Sequence, residues 1–124
     1  MKTILLVEDS PVTQRILSLI LEKNGFTVIS AFNGLEALEA LDQISVELVL
    51  CDVGMPEMDG LTLLKRLRAD EHYKFLPVIM LTASGQDEDR IAARAEGANY
   101  FLTKPSSSKE LLDTVNQVLD LCTV

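Results

Sequence analysis

Val46-Glu47-Leu48-Val49-Leu50-Cys51, running into Asp52-Val53-Gly54-Met55-Pro56, is the stretch on which the fold turns. A short apolar run bounded by turn residues reads as a strand buried on both faces, and such strands belong in the middle of a parallel sheet. Two further runs share this character, Thr3–Val7 upstream and Pro77–Leu81 downstream. Phe26–Ser30 and Asn99–Leu102 are more mixed and read as edge strands.

Longer segments with helical punctuation lie between these five runs. Ser10-Pro11 supplies an N-cap and a proline at the first helical position, after which Val12, Ile16 and Ile20 form an apolar stripe ending at Gly25. Asn33 with Glu36, and Ser107 with Glu110, have capping-box spacing at two further helix starts. A third helix is expected from Gly60 to about Ala69, and a fourth from about Asp87 to Glu96, closing at Gly97. Leu111, Val115, Val118, Leu119 and Cys122 make the last helix amphipathic. Strand and helix thus alternate along the chain, which predicts an α/β fold with helices on both faces of a five-stranded parallel sheet.

Composition sets limits on function. The 124 residues suffice for one domain with a real core, and 48% hydrophobic with 24% charged residues is ordinary for a soluble globular protein. A formal net charge of −8 repels phosphate backbones and anionic lipid surfaces, so direct nucleic-acid or membrane binding is not expected. The apolar start Ile4–Val7 is too short for a signal-peptide core or a membrane span, so a cytoplasmic location is expected. Cys51 and Cys122 sit in apolar runs and read as buried thiols, while His72, the sole histidine, leaves no His-based metal site or Ser/His pair.

In an open parallel sheet, ligands sit at the carboxyl ends of the strands. The loops expected there begin Glu8-Asp9-Ser10, Ala31-Phe32-Asn33, Asp52-Val53-Gly54, Thr82-Ala83-Ser84 and Thr103-Lys104-Pro105. Taken singly, these residues have bland readings: Ser10 as a helix cap, Asp52 as a turn residue, Lys104 as a solvated lysine, Thr82 as a strand end and Tyr100 as a half-buried strand residue. Taken together, Glu8, Asp9 and Asp52 would crowd three carboxylates at the ends of two adjacent strands. Two like charges at ~4 Å repel by roughly 4 kcal/mol at an effective dielectric of 20, so a counter-ion is required. Hard oxygen ligands favour Mg²⁺, or Mn²⁺, over zinc. Lys104 would add a compact cation and Thr82 a hydroxyl, completing a phosphoryl-transfer site with Asp52 as nucleophile.

The stretches ILLVEDS, LVLCDVGMPEMDG, PVIMLTA and YFLTKP resemble the motifs of bacterial response-regulator receiver domains, and the resemblance extends over essentially the whole chain. It implies a flavodoxin-like (βα)5 fold with strand order 2-1-3-4-5. It implies Asp52 as the phosphorylated residue, with Asp9, Asp52 and the Gly54 carbonyl as direct magnesium ligands and Glu8 contributing through water. Lys104 and Thr82 would assist catalysis, Thr82 and Tyr100 would form a switch pair, and Lys104-Pro105 would be a cis peptide. Gly54 and Ser84 match positions that tune acyl-phosphate lifetime among relatives, and Gly54 brings no side chain.

The function implied is a two-component signalling switch. A sensor histidine kinase or phosphotransfer protein would donate the phosphoryl group, giving a 4-aspartylphosphate. A face made by the fourth helix, fifth strand and fifth helix would then bind a downstream protein, the domain remaining monomeric or dimerising on phosphorylation. Such a domain is not a conventional turnover enzyme, though receivers catalyse their own phosphorylation and autodephosphorylation. Two other readings stay open: a degenerate receiver acting as a constitutive binding module, and a small aspartyl phosphohydrolase. The first would need a missing acceptor, acid or lysine, and the second an acid two residues beyond Asp52, where Gly54 stands. A single receiver domain over residues 1–124 is expected, with no output domain in it; whether it stands alone or belongs to a longer regulator or hybrid kinase is left open.

Overall fold

The computed structural model describes residues 2–52, 60–82, 97–103 and 107–122, with side chains at all of these except 60, 82, 121 and 122. Five strands, β1 (Thr3–Val7), β2 (Thr27–Ala31), β3 (Leu48–Asp52), β4 (Val78–Thr82) and β5 (Tyr100–Thr103), form one parallel sheet in the order β2-β1-β3-β4-β5. Helices α1 (Pro11–Lys23), α2 (Gly34–Gln43), α3 (Gly60–Ala69) and a C-terminal helix (Ser108–Cys122) accompany them. The helix expected near 87–96 lies outside the described residues.

Alternation along the strands divides the core in two, because successive side chains point to opposite faces. Leu5, Val7, Val49, Cys51, Val78 and Met80 face one way and pack with Ala37 and Leu41 of α2 and Leu63, Leu64 and Leu67 of α3. Ile4, Leu6, Leu48, Leu50, Ile79 and Leu81 face the other way and meet Leu17 and Leu21 of α1 and Leu111, Val115, Val118 and Leu119 of the C-terminal helix. A one-residue slip in any central strand would exchange these two sets, so the register is strongly specified.

Two sequence expectations shift. The second to fifth strands each end one residue later than predicted, so Asp52 and Thr82 are the last residues of their strands and not the first of the loops. Phe26 is taken by a turn, its amide donating to Leu21 O at 3.2 Å after Gly25 adopts φ 91°. Asn99 caps the sheet edge, its side-chain oxygen accepting from Val78 N at 2.8 Å.

The stripe read on α1 also turns outward. Val12 is 70% and Ile16 53% exposed, while the helix buries Gln14, Leu17 and Leu21, with Ile20 only partly covered. Residues 14, 17 and 21 follow the three-then-four spacing of a packed helix face, and a polar residue at the first of them disguised it. The caps form as their residue types require: Ser10 Oγ accepts from Thr13 N at 3.4 Å, Asn33 Oδ1 from Glu36 N at 2.8 Å and Ser107 Oγ from Glu110 N at 3.0 Å.

Candidate functional site

The register sets the site. Val7 pairs with Cys51 across the β1–β3 ladder, so Glu8 and Asp9, which leave β1, emerge beside Asp52 at the end of β3. One carboxylate oxygen from each of the three lies within 4.8 Å of those of the other two. Glu8 is fully buried and Asp52 is 5% exposed, so two of the three charges are largely removed from water.

The local structure holds this crowding in place. Glu8 N donates to Ala31 O at 3.0 Å, extending the sheet past β1 toward β2. Glu8 Oε2 accepts from Ser10 N at 3.1 Å, which folds the carboxylate over the start of α1. Gln14 Nε2 donates to Glu8 O at 3.3 Å and to Ala31 O at 2.9 Å from inside the protein. Gln14 therefore fastens α1 to two strand ends directly beneath the acidic residues. Sequence reading passed over it, although a glutamine in register with Leu17 and Leu21 on one helix face was a visible sign. At β3, Cys51 Sγ donates to Asp52 O at 3.4 Å, so the buried thiol serves the backbone of the candidate acceptor.

The donor set fits a hard divalent cation. At metal–oxygen distances of about 2.1 Å, ligand oxygens of an octahedral ion stand roughly 3.0 Å apart when adjacent and 4.2 Å when opposite, so oxygens within 4.8 Å would draw inward to close on an ion. Three carboxylates without nitrogen or sulfur favour magnesium or manganese.

The remaining predicted residues divide. Thr82 ends β4, where its neighbour Leu81 pairs with Asp52, so its backbone stands at the same rim. Thr82 itself pairs with Thr103, the last residue of β5. Gly54, Ser84, Lys104 and Pro105 lie outside the described residues. Tyr100 begins β5 and is 44% exposed, its ring stacked on Phe101 with centroids 5.9 Å apart. Among the described residues no helix is long and apolar enough to cross a membrane.

The chain is similar to known proteins. The chain is 37% identical over 119 residues to the DNA-binding dual master transcriptional regulator RpaA of Synechocystis sp., covering 96% of this chain and 49% of that protein. The chain thus spans about half the length of RpaA. Protein PilH of Pseudomonas aeruginosa is 36% identical over 119 residues, which cover 96% of this chain and 98% of PilH. Among solved structures, the receiver domain of the sensor histidine kinase PA1611 from Pseudomonas aeruginosa, with magnesium coordinated in its active-site cleft, superposes with a TM-score of 0.89 at 30% identity, over 96% of this chain and 98% of that one. The profile of the response regulator receiver domain matches residues 4–116. That span runs from the first central strand into the final helix, and the chain belongs to the response regulator receiver domain family.

Proposed function

We propose that this receiver domain accepts a phosphoryl group on the carboxylate of Asp52, with Asp9 and Asp52 holding magnesium directly and Glu8 holding it through water. The clustering of the Glu8, Asp9 and Asp52 carboxylates within 4.8 Å is the observation that carries the reading. In the transfer, an Asp52 oxygen forms a bond to phosphorus while the bond from phosphorus to the donor breaks. The donor, a phosphohistidine or a small acyl phosphate, departs with the bonding electron pair, and the product is an aspartyl phosphate. When bound, magnesium would neutralise charge on the transferring group.

The chain's own residues supply position. β3 presents Asp52 from a rigid strand end, and Gln14 fixes the backbone from which Glu8 and Asp9 project. Lys104 and Thr82 are assigned to the phosphoryl oxygens, Thr82 with Tyr100 to the switch, and Gly54 O to the metal. Phosphorylation adds roughly −1.5 to −2 charges at this rim and would bias a binding face for a downstream protein that includes β5 and the C-terminal helix. A sensor kinase or phosphotransfer protein is the assigned donor, and self-catalysed gain and loss of the phosphoryl group the assigned activity.

Incubation with acetyl phosphate and Mg²⁺ should add the mass of one phosphate to the chain, and Asp52→Asn should abolish the addition. Equal incorporation into the Asp52→Asn protein, or none into the unsubstituted one, would remove the proposal.

A further inference from the structure

Past β1 the sheet runs on for one rung and then stops. Val7 faces Ala31 across the β1–β2 ladder, and Glu8 N donates to Ala31 O at 3.0 Å. At the start of the same ladder Thr27, which faces Thr3, donates its amide to Lys2 O at 2.9 Å. Repeating that step every two residues would make the amide of Asn33 the next donor, to Glu8 O. Asn33 leaves the ladder instead: β2 ends at Ala31, and the Asn33 side chain caps α2 by accepting from Glu36 N at 2.8 Å. Gln14 Nε2 donates at that place, to Glu8 O at 3.3 Å and to Ala31 O at 2.9 Å. A side chain of α1 thus supplies the rung that β2 gives up.

The same residue holds the other side of Asp9. Gln14 N donates to Ser10 O at 2.9 Å, at the first turn of α1. The carbonyls of residues 8 and 10, on either side of Asp9, therefore both end on Gln14, one on its side chain and one on its main chain. Gln14 is only 5% exposed, so water competes little for these bonds. Burying an amide costs free energy unless its hydrogens are bound, and the face that continues through Leu17 and Leu21 would pack as well with an apolar residue. Helix packing alone gives no reason for a glutamine here, whereas the rim of the sheet does.

We propose that Gln14 is a positioning residue for the divalent cation: by pinning residues 8 and 10 it holds Asp9 where its carboxylate can share an ion with Asp52. The inference rests on the reading of Asp9 and Asp52 as cation ligands. Gln14 itself touches neither the ion nor the phosphoryl group. Its contribution is preorganisation, because ligand oxygens spread over as much as 4.8 Å must draw inward, and a segment already fixed at both ends leaves less for the ion to order. By reciprocity, the ion must steady the bonds of Gln14 to the same degree.

Mg²⁺ titration of the full chain, followed by NMR, tests this without any phosphoryl transfer. Gln14→Leu and Gln14→Met both lack the donor and should each raise the Kd for Mg²⁺ by about tenfold, as when a ligand loses an orienting hydrogen bond. Leu17→Val, at the next buried position of the same face, loosens α1 without touching residues 8 or 10 and should leave Kd within about twofold. In the unsubstituted protein the side-chain amide resonances of Gln14 should move with the same midpoint as the main-chain amide of Asp9. An unchanged Kd in both Gln14 variants, or an equal loss in Leu17→Val, would mean that Gln14 only braces the helix and would overturn the proposal. Gln14 side-chain resonances that stay fixed through the titration would overturn it even if neither Gln14 variant folded. If Mg²⁺ binds with the expected order of affinities but acetyl phosphate adds nothing, this inference stands and the phosphoacceptor reading falls; if the unsubstituted protein binds no Mg²⁺, both fall.

Discussion

At the carboxyl rim of the sheet, Glu8, Asp9 and Asp52 bring like charges within 4.8 Å of one another, whereas at the amino rim a single cation is shared among many acceptors. There Arg68, at the end of α3, donates from Nε to Gly97 O at 2.9 Å, from one terminal nitrogen to Leu76 O at 2.8 Å and Tyr73 O at 3.3 Å, and from the other to Asn99 Oδ1 at 3.1 Å. One rim concentrates like charge. The other distributes charge over main-chain oxygens and ties the entrances of β4 and β5 to α3. The crowded carboxylates and the Arg68 clasp thus stand at opposite rims of one sheet.

The largest expected effect comes from breaking the fastened rim. Arg68→Ala should lower stability by about 2–4 kcal/mol, since hydrogen bonds to a charged donor are lost and several acceptors are left unmet. Chemical denaturation measures this, and Arg68→Lys should restore only part of it because an ammonium cannot reproduce the guanidinium fork. A loss below about 0.5 kcal/mol for Arg68→Ala would mean that water replaces the clamp.

Loading the acidic rim should come next. Saturating Mg²⁺ should stabilise the unsubstituted protein by about 2.7 kcal/mol at a hundredfold excess over Kd, and Asp9→Asn should remove most of that gain. Without metal the sign reverses: Asp9→Asn or Asp52→Asn should raise the unfolding midpoint, by about 1 kcal/mol of stability, as repulsion is relieved. Thermal melts in chelator and in Mg²⁺ show both signs in one experiment. A lower midpoint for both variants in chelator would contradict the crowded-charge account.

Gln14→Leu, of similar size, should cost about 1 kcal/mol, because Glu8 O loses a donor while Ala31 O keeps the one from Glu8 N. The smallest effect is expected at the outward stripe of α1. Ile16→Ser should change stability by no more than about 0.5 kcal/mol, as for most exposed positions.

The central strands were legible because burial on both faces leaves an unbroken apolar run, as in Leu48-Val49-Leu50-Cys51, and sheet order agrees with what the family resemblance implied. The crowding of Glu8, Asp9 and Asp52 was legible for a related reason: adjacent parallel strands bring their exits to one rim. The buried face of α1 was not, since Val12, Ile16 and Ile20 made an equally regular apolar row and the true face begins with Gln14. Its amide is satisfied only by oxygens that folding brings near, one of them 17 residues away, and no local pattern records that. Arg68 escaped notice likewise, its acceptors lying up to 31 residues along the chain. The shift of the second to fifth strands toward later residues followed from pairing across the ladder, which propensity does not weigh.

Arg68 addresses main-chain oxygens at Tyr73, Leu76 and Gly97, and these are present whatever side chain each position bears. The clasp is therefore indifferent to the identity of residues 73 and 76, which line an open groove together with Ile44 and Phe75. Substitutions could rewrite the chemistry of that surface from one descendant to the next while the anchorage beneath it stays the same.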